Sequence, residues 1–181
     1  MKKILLIITL FIGLGNVNAQ SDATWEETVS FLNKYSIHLI EVGEYVYDSK
    51  VRFSSNLLVI NYKNKYSPMN EAWTDYLTYE ITIDLYKLSE IRMKGDNYIQ
   101  LYTTGNNVLE NLDTKVWGKR ESGWVEPFND SNTPYSKKLN SYTIYVSDTE
   151  MFGRLGKAFQ HLAKLANEKR ENEKKVSGDK F

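Results

Sequence analysis

The chain has no cysteine, two histidines and three prolines among its 181 residues. Absence of cysteine excludes disulfides, zinc–thiolate sites, iron–sulfur clusters and a thiolate nucleophile. Lys plus Arg and Asp plus Glu number 23 each, so the formal charge is zero. That balance gives no global steering toward nucleic acid or an acidic membrane, and no nucleic-acid partner is expected. The motif stock is equally bare. There is no G-x-S-x-G, no H-E-x-x-H and no P-loop. What is present is 41% hydrophobic residues with 13% aromatic, the composition of a folded chain rather than a disordered one.

The longest apolar run lies at the start. Met1-Lys2-Lys3 is a positive lead, Ile4 to Leu14 is apolar except for Thr9, and Asn16-Val17-Asn18-Ala19 supplies Val17 and Ala19 at the −3 and −1 positions. This is the pattern of a secretory signal, residues 1–19, with a cut before Gln20. The apolar stretch is well short of the ~20 residues that span a bilayer, so no transmembrane anchor is expected after cleavage. No cysteine follows it, so no lipid anchor is expected either. The reading places the mature chain in the periplasm or the medium of a bacterium. Without disulfides, its fold must rest on its core, and a chain of this size buries roughly 70% of its unfolded surface.

One domain is expected over residues 20–166, with 167–181 as a charged helical extension or disordered tail. Thr24-Trp25-Glu26-Glu27 has the spacing of a capping box, and Trp25, Thr28, Val29, Leu32 and Tyr35 then recur at helical spacing. Strands are expected over 45–53, 57–62, 79–85, 90–93, 97–103 and 141–146, with a less regular one over 108–117. The cleanest alternation sets Tyr79, Ile81, Ile83 and Leu85 against Glu80, Thr82, Asp84 and Tyr86. Lys94-Gly95-Asp96 reads as a hairpin loop, and Ser54-Ser55-Asn56 and Gly105-Asn106-Asn107 as turns. Ser147-Asp148-Thr149-Glu150 has the spacing of a second capping box. Phe152, Leu155, Ala158, Phe159, Leu162 and Leu165 then form an apolar stripe. Such a helix must cover an open face or end of the sheet. Beyond Asn167 the sequence mixes basic and acidic residues, the composition of a solvated face.

The fold class is therefore α+β: a curved antiparallel sheet or barrel of six to seven strands, an N-terminal helix and a long C-terminal amphipathic helix. The segments Leu57–Tyr62, Tyr79–Leu85, Ile91–Thr103, Tyr142–Val146 and Phe152–Leu165 together resemble the pleckstrin-homology-like superfold. The opening Thr24–Leu32 and closing Leu155–Leu162 are also similar to the ends of uncharacterised secreted bacterial domains. The resemblance implies a barrel plugged at one end by the C-terminal helix. In that superfold many members bind phosphoinositides through a basic loop between the first two strands. Here the matching turn, Ser54-Ser55-Asn56, has only Lys50, Arg52 and Lys63 beside it, so lipid binding does not carry over.

Candidate chemistry is sparse. His38 and His161 lie in no recognisable motif and read as partly buried polar residues rather than catalytic bases. Glu80 and Asp84 share one strand face, which the alternation alone explains. Asn129-Asp130-Ser131-Asn132 lacks the glycine turn and distal glutamate of a calcium loop, so no metal is expected. No cofactor is expected either. Aromatic residues are the one excess. Most fall in strands, where tyrosine packs well. Six fall in expected loops: Tyr66, Trp73, Tyr76, Trp124, Phe128 and Tyr135. Of these, Trp73, Tyr76, Trp124 and Phe128 are the candidate ligand-binding residues, suited to sugar stacking or a protein contact. The functional expectation is an exported, non-enzymatic binding domain whose partner is an envelope protein, a peptide or a glycan. The alternatives are a small hydrolase with a carboxylate site and a carrier of an apolar ligand.

Overall fold

The computed structural model describes residues 23–40, 46–66, 73–119, 128–129 and 135–178. The expected signal segment and Trp124 lie outside the described residues. Helix α1 (Trp25–Lys34) starts at the capping box read in the sequence. The Glu27 amide donates to Thr24 Oγ1 at 3.2 Å, and the Thr24 amide donates to Glu27 Oε2 at 2.8 Å. Thr28 and Leu32 form its buried face. Ten strands follow among the described residues: β1 (Leu39–Ile40), β2 (Val46–Phe53), β3 (Leu57–Tyr66), β4 (Trp73–Asp84), β5 (Leu88–Lys94), β6 (Tyr98–Thr103), β7 (Val108–Lys119), β8 (Phe128–Asn129), β9 (Ser136–Leu139) and β10 (Ser141–Val146). Helix α2 (Thr149–Gly178) closes the fold.

The strands form two antiparallel sheets, not one barrel. Sheet A runs β1-β10-β6-β5, and sheet B runs β2-β3-β4-β7-β8, with β9 also pairing β7. The expected barrel closure is absent because the chain changes sheet where a barrel would continue its ladder. After β4, a 3-10 turn at Leu85–Lys87 carries the chain across to β5. After β9, the crossing occurs at Asn140, whose carbonyl accepts from the Thr103 amide at 2.8 Å. The free edges are also poorly matched for pairing. β1 is two residues long, and β2 carries a bulge between Tyr47 and Lys50 with Asp48 at φ 53°. Bulges and charged residues of this kind blunt a sheet edge.

The sheets share one core. Leu58, Ile60, Ile81 and Ile83 face Ile99, Leu101 and Ile144, and α2 adds Leu155, Phe159 and Leu162, all fully buried. Helix α2 packs on β5, on the 3-10 turn and on α1. Its approach to β5 is close at Gly156, where a Cβ would stand 2.5 Å from Met93 Sδ. The β5–β6 hairpin turns through Gly95 at φ 55°, a conformation glycine adopts without strain.

The start of α2 departs from the sequence reading. The cap is Asp148, not Ser147: Asp148 Oδ1 accepts from the amides of Glu150 at 2.9 Å and Met151 at 3.2 Å. Ser147 is spent elsewhere, its amide and hydroxyl both donating to the His38 carbonyl. With the cap one residue later, Glu150 is not at the third helical position and no box can close. Asp148→Ala is therefore expected to cost about 1 kcal/mol of unfolding free energy, and Glu150→Gln almost nothing. Chemical denaturation of the two variants distinguishes the caps.

The charged stretch after Asn167 is helical through Gly178, and its first turn is docked rather than solvated. Arg170 donates through Nη1 to the Tyr86 carbonyl and through Nη2 to the Leu88 carbonyl, the latter at 2.7 Å. Asn167 Nδ2 donates to the Ser89 carbonyl at 3.3 Å. No helix among the described residues is long and apolar enough to cross a membrane.

Candidate functional site

The outer face of sheet A is built by strict alternation. In β6, Ile99, Leu101 and Thr103 point into the core, so Tyr98, Gln100 and Tyr102 point out. In β10, Tyr142, Ile144 and Val146 are buried, which turns Ser141, Thr143 and Tyr145 outward. The ladder register sets these residues, with those of β5, in three rows: Lys94–Tyr98–Tyr145, Arg92–Gln100–Thr143 and Glu90–Tyr102–Ser141. Three tyrosines and one arginine thus share one three-stranded surface.

Their positions are braced. Tyr98 and Tyr145 meet edge-on with centroids 5.4 Å apart, and Asn97 Nδ2 donates to the Tyr145 hydroxyl at 2.9 Å. Arg92 donates to both oxygens of Glu90, at 2.7 and 3.0 Å, and to the Tyr102 hydroxyl at 3.3 Å. Its guanidinium carbon stands 4.7 Å from the Tyr102 ring centroid. Gln100 Nε2 reaches Ser141 Oγ at 3.4 Å, while Gln100 Oε1 is buried without a partner. Tyr98 is the most open of the three tyrosines, at 41%.

The hydrogen bonds from Arg92 hold the Glu90 carboxyl below the ordinary carboxylate range. A carboxylate depressed in the fold favours the fold above its ordinary pKa and loses that contribution as pH falls through the depressed value. The Arg92–Glu90 pair is therefore expected to stay formed at neutral and mildly acidic pH. In a side-chain carboxyl NMR titration, Glu90 should titrate below an ordinary glutamate, and Arg92→Gln should bring it back up.

Of the aromatic residues chosen from the sequence, Trp73, Tyr76 and Phe128 lie elsewhere. Trp73 and Tyr76 belong to strand β4 rather than to a loop, paired with Lys119 and Val116 of β7. Phe128 opens the short strand β8 opposite Trp117. The backbone thus gathers these three at one end of sheet B. Tyr66 ends β3, opposite Asp75. The loop reading failed for Trp73 and Tyr76 because β3 and β4 stay paired beyond the clean apolar alternation, out to Tyr66 and Asp75. Tyr135 is half-exposed, and its hydroxyl donates to Glu110 at 3.1 Å. Burial, the Tyr79 hydroxyl and the Glu110 carboxylate together raise the Tyr135 phenol above its ordinary range.

The remaining candidates have structural employment. Asp84 Oδ1 accepts from the Tyr86 amide and caps the 3-10 turn. His161 is buried on α2, with Nε2 2.7 Å from the Ala23 carbonyl. His38 Nδ1 lies 3.6 Å from Asp148 Oδ2, beside the start of α2. The space between the sheets is filled by large aliphatic side chains.

No family model, curated protein or solved structure matches this chain. The tyrosine face must therefore be read from its own chemistry. The sequence did carry the signal for it. The alternation that placed Tyr142, Ile144 and Val146 on one face also placed Tyr145 on the other, and Ile99 and Leu101 do the same for Tyr98 and Tyr102. Assigning strand tyrosines to packing as a class hid that parity.

Proposed function

We propose that this chain is an exported, non-enzymatic interaction domain of the cell envelope, and that it contacts a protein partner through the outer face of sheet A. The observation that carries the reading is the row arrangement of Tyr98, Tyr102, Tyr145 and Arg92 on one exposed sheet face. Tyrosine and arginine dominate the energetics of protein interfaces, where a large ring contacts the partner and a polar tip finds a hydrogen bond. An open sheet face suits a protein better than a small ligand, which needs concavity. The bonds from Asn97 and Arg92 fix two of the tyrosines before contact, so less ordering remains to be done on binding. Export rests on the signal-like segment at residues 1–19. A chain without cysteine relies on its buried core rather than on disulfides.

The test is capture by the domain Gln20–Phe181 from envelope extract, run beside a Tyr98→Ala/Tyr145→Ala variant. Both residues lie outside the core, so the variant is expected to keep its fold by circular dichroism. A retained protein should be lost at least tenfold in the variant, as expected when residues carrying about 2 kcal/mol of binding are truncated. Equal retention by both forms would remove this face from the account.

A further inference from the structure

Sulfur is scarce in this chain. There is no cysteine, and the methionines are Met1, Met69, Met93 and Met151. Met1 opens the signal-like segment, and Met69 lies outside the described residues. Met151 is buried in the first turn of α2, at 7% exposure, with Arg154 Nη1 3.6 Å from its sulfur. Met93 differs. It is 37% exposed, although by alternation it shares the inward side of β5 with buried Ile91. Among the described residues it is the one exposed thioether.

Its position at the seam between β5 and α2 explains the exposure. A Cβ at Gly156 would stand 2.5 Å from Met93 Sδ, 2.8 Å from Cε and 3.1 Å from Cγ. The end of the side chain therefore lies directly on the helix backbone, in space that any other residue at position 156 would fill. Glycine inside a helix weakens it. What Gly156 provides here is a seat for Met93. One turn earlier, a Cβ at Gly153 would meet nothing within 4 Å, so the helix surface there is unfilled. The thioether is thus pressed on the helix on one side and open to small solutes on the other.

We propose that Met93 is a reversible oxidation site whose modification loosens the seating of α2 on β5. The oxidant is a peroxide. A sulfur lone pair attacks one peroxide oxygen, the O–O bond breaks and a sulfur–oxygen bond forms. The leaving hydroxide takes the proton of the transferred oxygen and departs as water. Sulfur gives up two electrons and the peroxide takes them. The sulfoxide turns a flexible apolar side chain into a polar one. Against Gly156 there is no room for the added oxygen. The modified side chain must turn outward, and the seam loses the atoms that filled it. A thiol-dependent reductase reverses the step: the thioether returns, water is released and two thiols join in a disulfide. The site stands on its own geometry and does not depend on what sheet A contacts.

The experiment treats the purified protein with hydrogen peroxide. Peptide mass spectrometry follows each methionine, and thermal melting follows the fold. Met93 is expected to oxidise about tenfold faster than buried Met151. The Met93 sulfoxide form is expected to melt roughly 3 °C or more below the parent, the shift that one lost packing contact produces in a chain of this size. A pair of methionine sulfoxide reductases, one for each sulfur epimer, should restore the parent melting temperature. Met93→Leu keeps an apolar filler at the seam and should show no such fall on treatment. The readout is the shift on treatment, so a variant that starts lower still tests the proposal. A fall of equal size in Met93→Leu would overturn it. So would oxidation of Met93 no faster than Met151, an unchanged melting temperature at full Met93 conversion, or a loss that the reductases do not restore.

Discussion

Phe159→Ala should lower the unfolding free energy by about 3–5 kcal/mol, the largest single-residue effect expected in this protein. Phe159 is the bulkiest of the fully buried side chains. It sits midway along the docked half of α2 and meets Phe53 of β2 with ring centroids 6.0 Å apart. Removing the ring takes away its transfer free energy and leaves a void between α2 and sheet B. The rigid strands on that side cannot collapse to fill it. Urea denaturation followed by far-UV circular dichroism measures the change in midpoint. A loss below about 1 kcal/mol would mean that α2 is not seated on the sheets as described. Phe159→Leu keeps most of the volume and should recover more than half of the loss.

The second large effect comes from a residue whose sequence context suggested a solvated tail. Arg170→Ala should cost about 2 kcal/mol, because a charged guanidinium donating to two backbone carbonyls is worth more than a neutral bond. Those carbonyls belong to Tyr86, in the 3-10 turn that links the two sheets, and to Leu88, the first residue of β5. The same place is fastened from the other side. Lys169 Nζ stands 3.7 Å from the Tyr86 ring centroid, and Trp25 stacks on that ring at 4.4 Å. Trp25 Nε1 in turn donates to the Ser55 carbonyl at 2.7 Å, tying α1 to the β2–β3 turn. A chain ended after Ala166 should therefore be destabilised at least as much as the Arg170 variant. A chain ended after Asn172 should keep most of the parent stability. Equal stability of all three forms would show that the clasp contributes nothing.

These two residues mark how far the sequence could be read. Phe159 belongs to a helical apolar stripe, and such a stripe predicts burial directly. Strand β10 was legible to the residue, Ser141–Val146, because Tyr142, Ile144 and Val146 alternate without interruption. Thr24 and Glu27 were legible as a cap because their spacing fixes the geometry. Arg170 was not legible, since its partners are backbone carbonyls more than eighty positions away and no pattern in the sequence points at them. The separation into two sheets was hidden for the same reason. Local alternation gives each strand and its buried face, but nothing local says that β4 pairs with β7 while β5 joins the other sheet.

The binding face was half legible. The outward parity of Tyr98, Tyr102 and Tyr145 follows from their core-facing neighbours. Their assembly into one surface needs the β5–β6–β10 register, which only the fold supplies. Trp73, Tyr76 and Phe128 show the converse. Their sequence surroundings suggested loops, and their backbones run in sheet B.

The most direct measurement is site-specific photo-crosslinking in intact cells, with a benzophenone side chain at Tyr98 and, as control, at Gln160 on the exposed side of α2. The account predicts one discrete protein adduct from position 98 and none of that mass from position 160. An adduct from position 160 alone, or the same adduct from both, would contradict the assignment of the sheet A face.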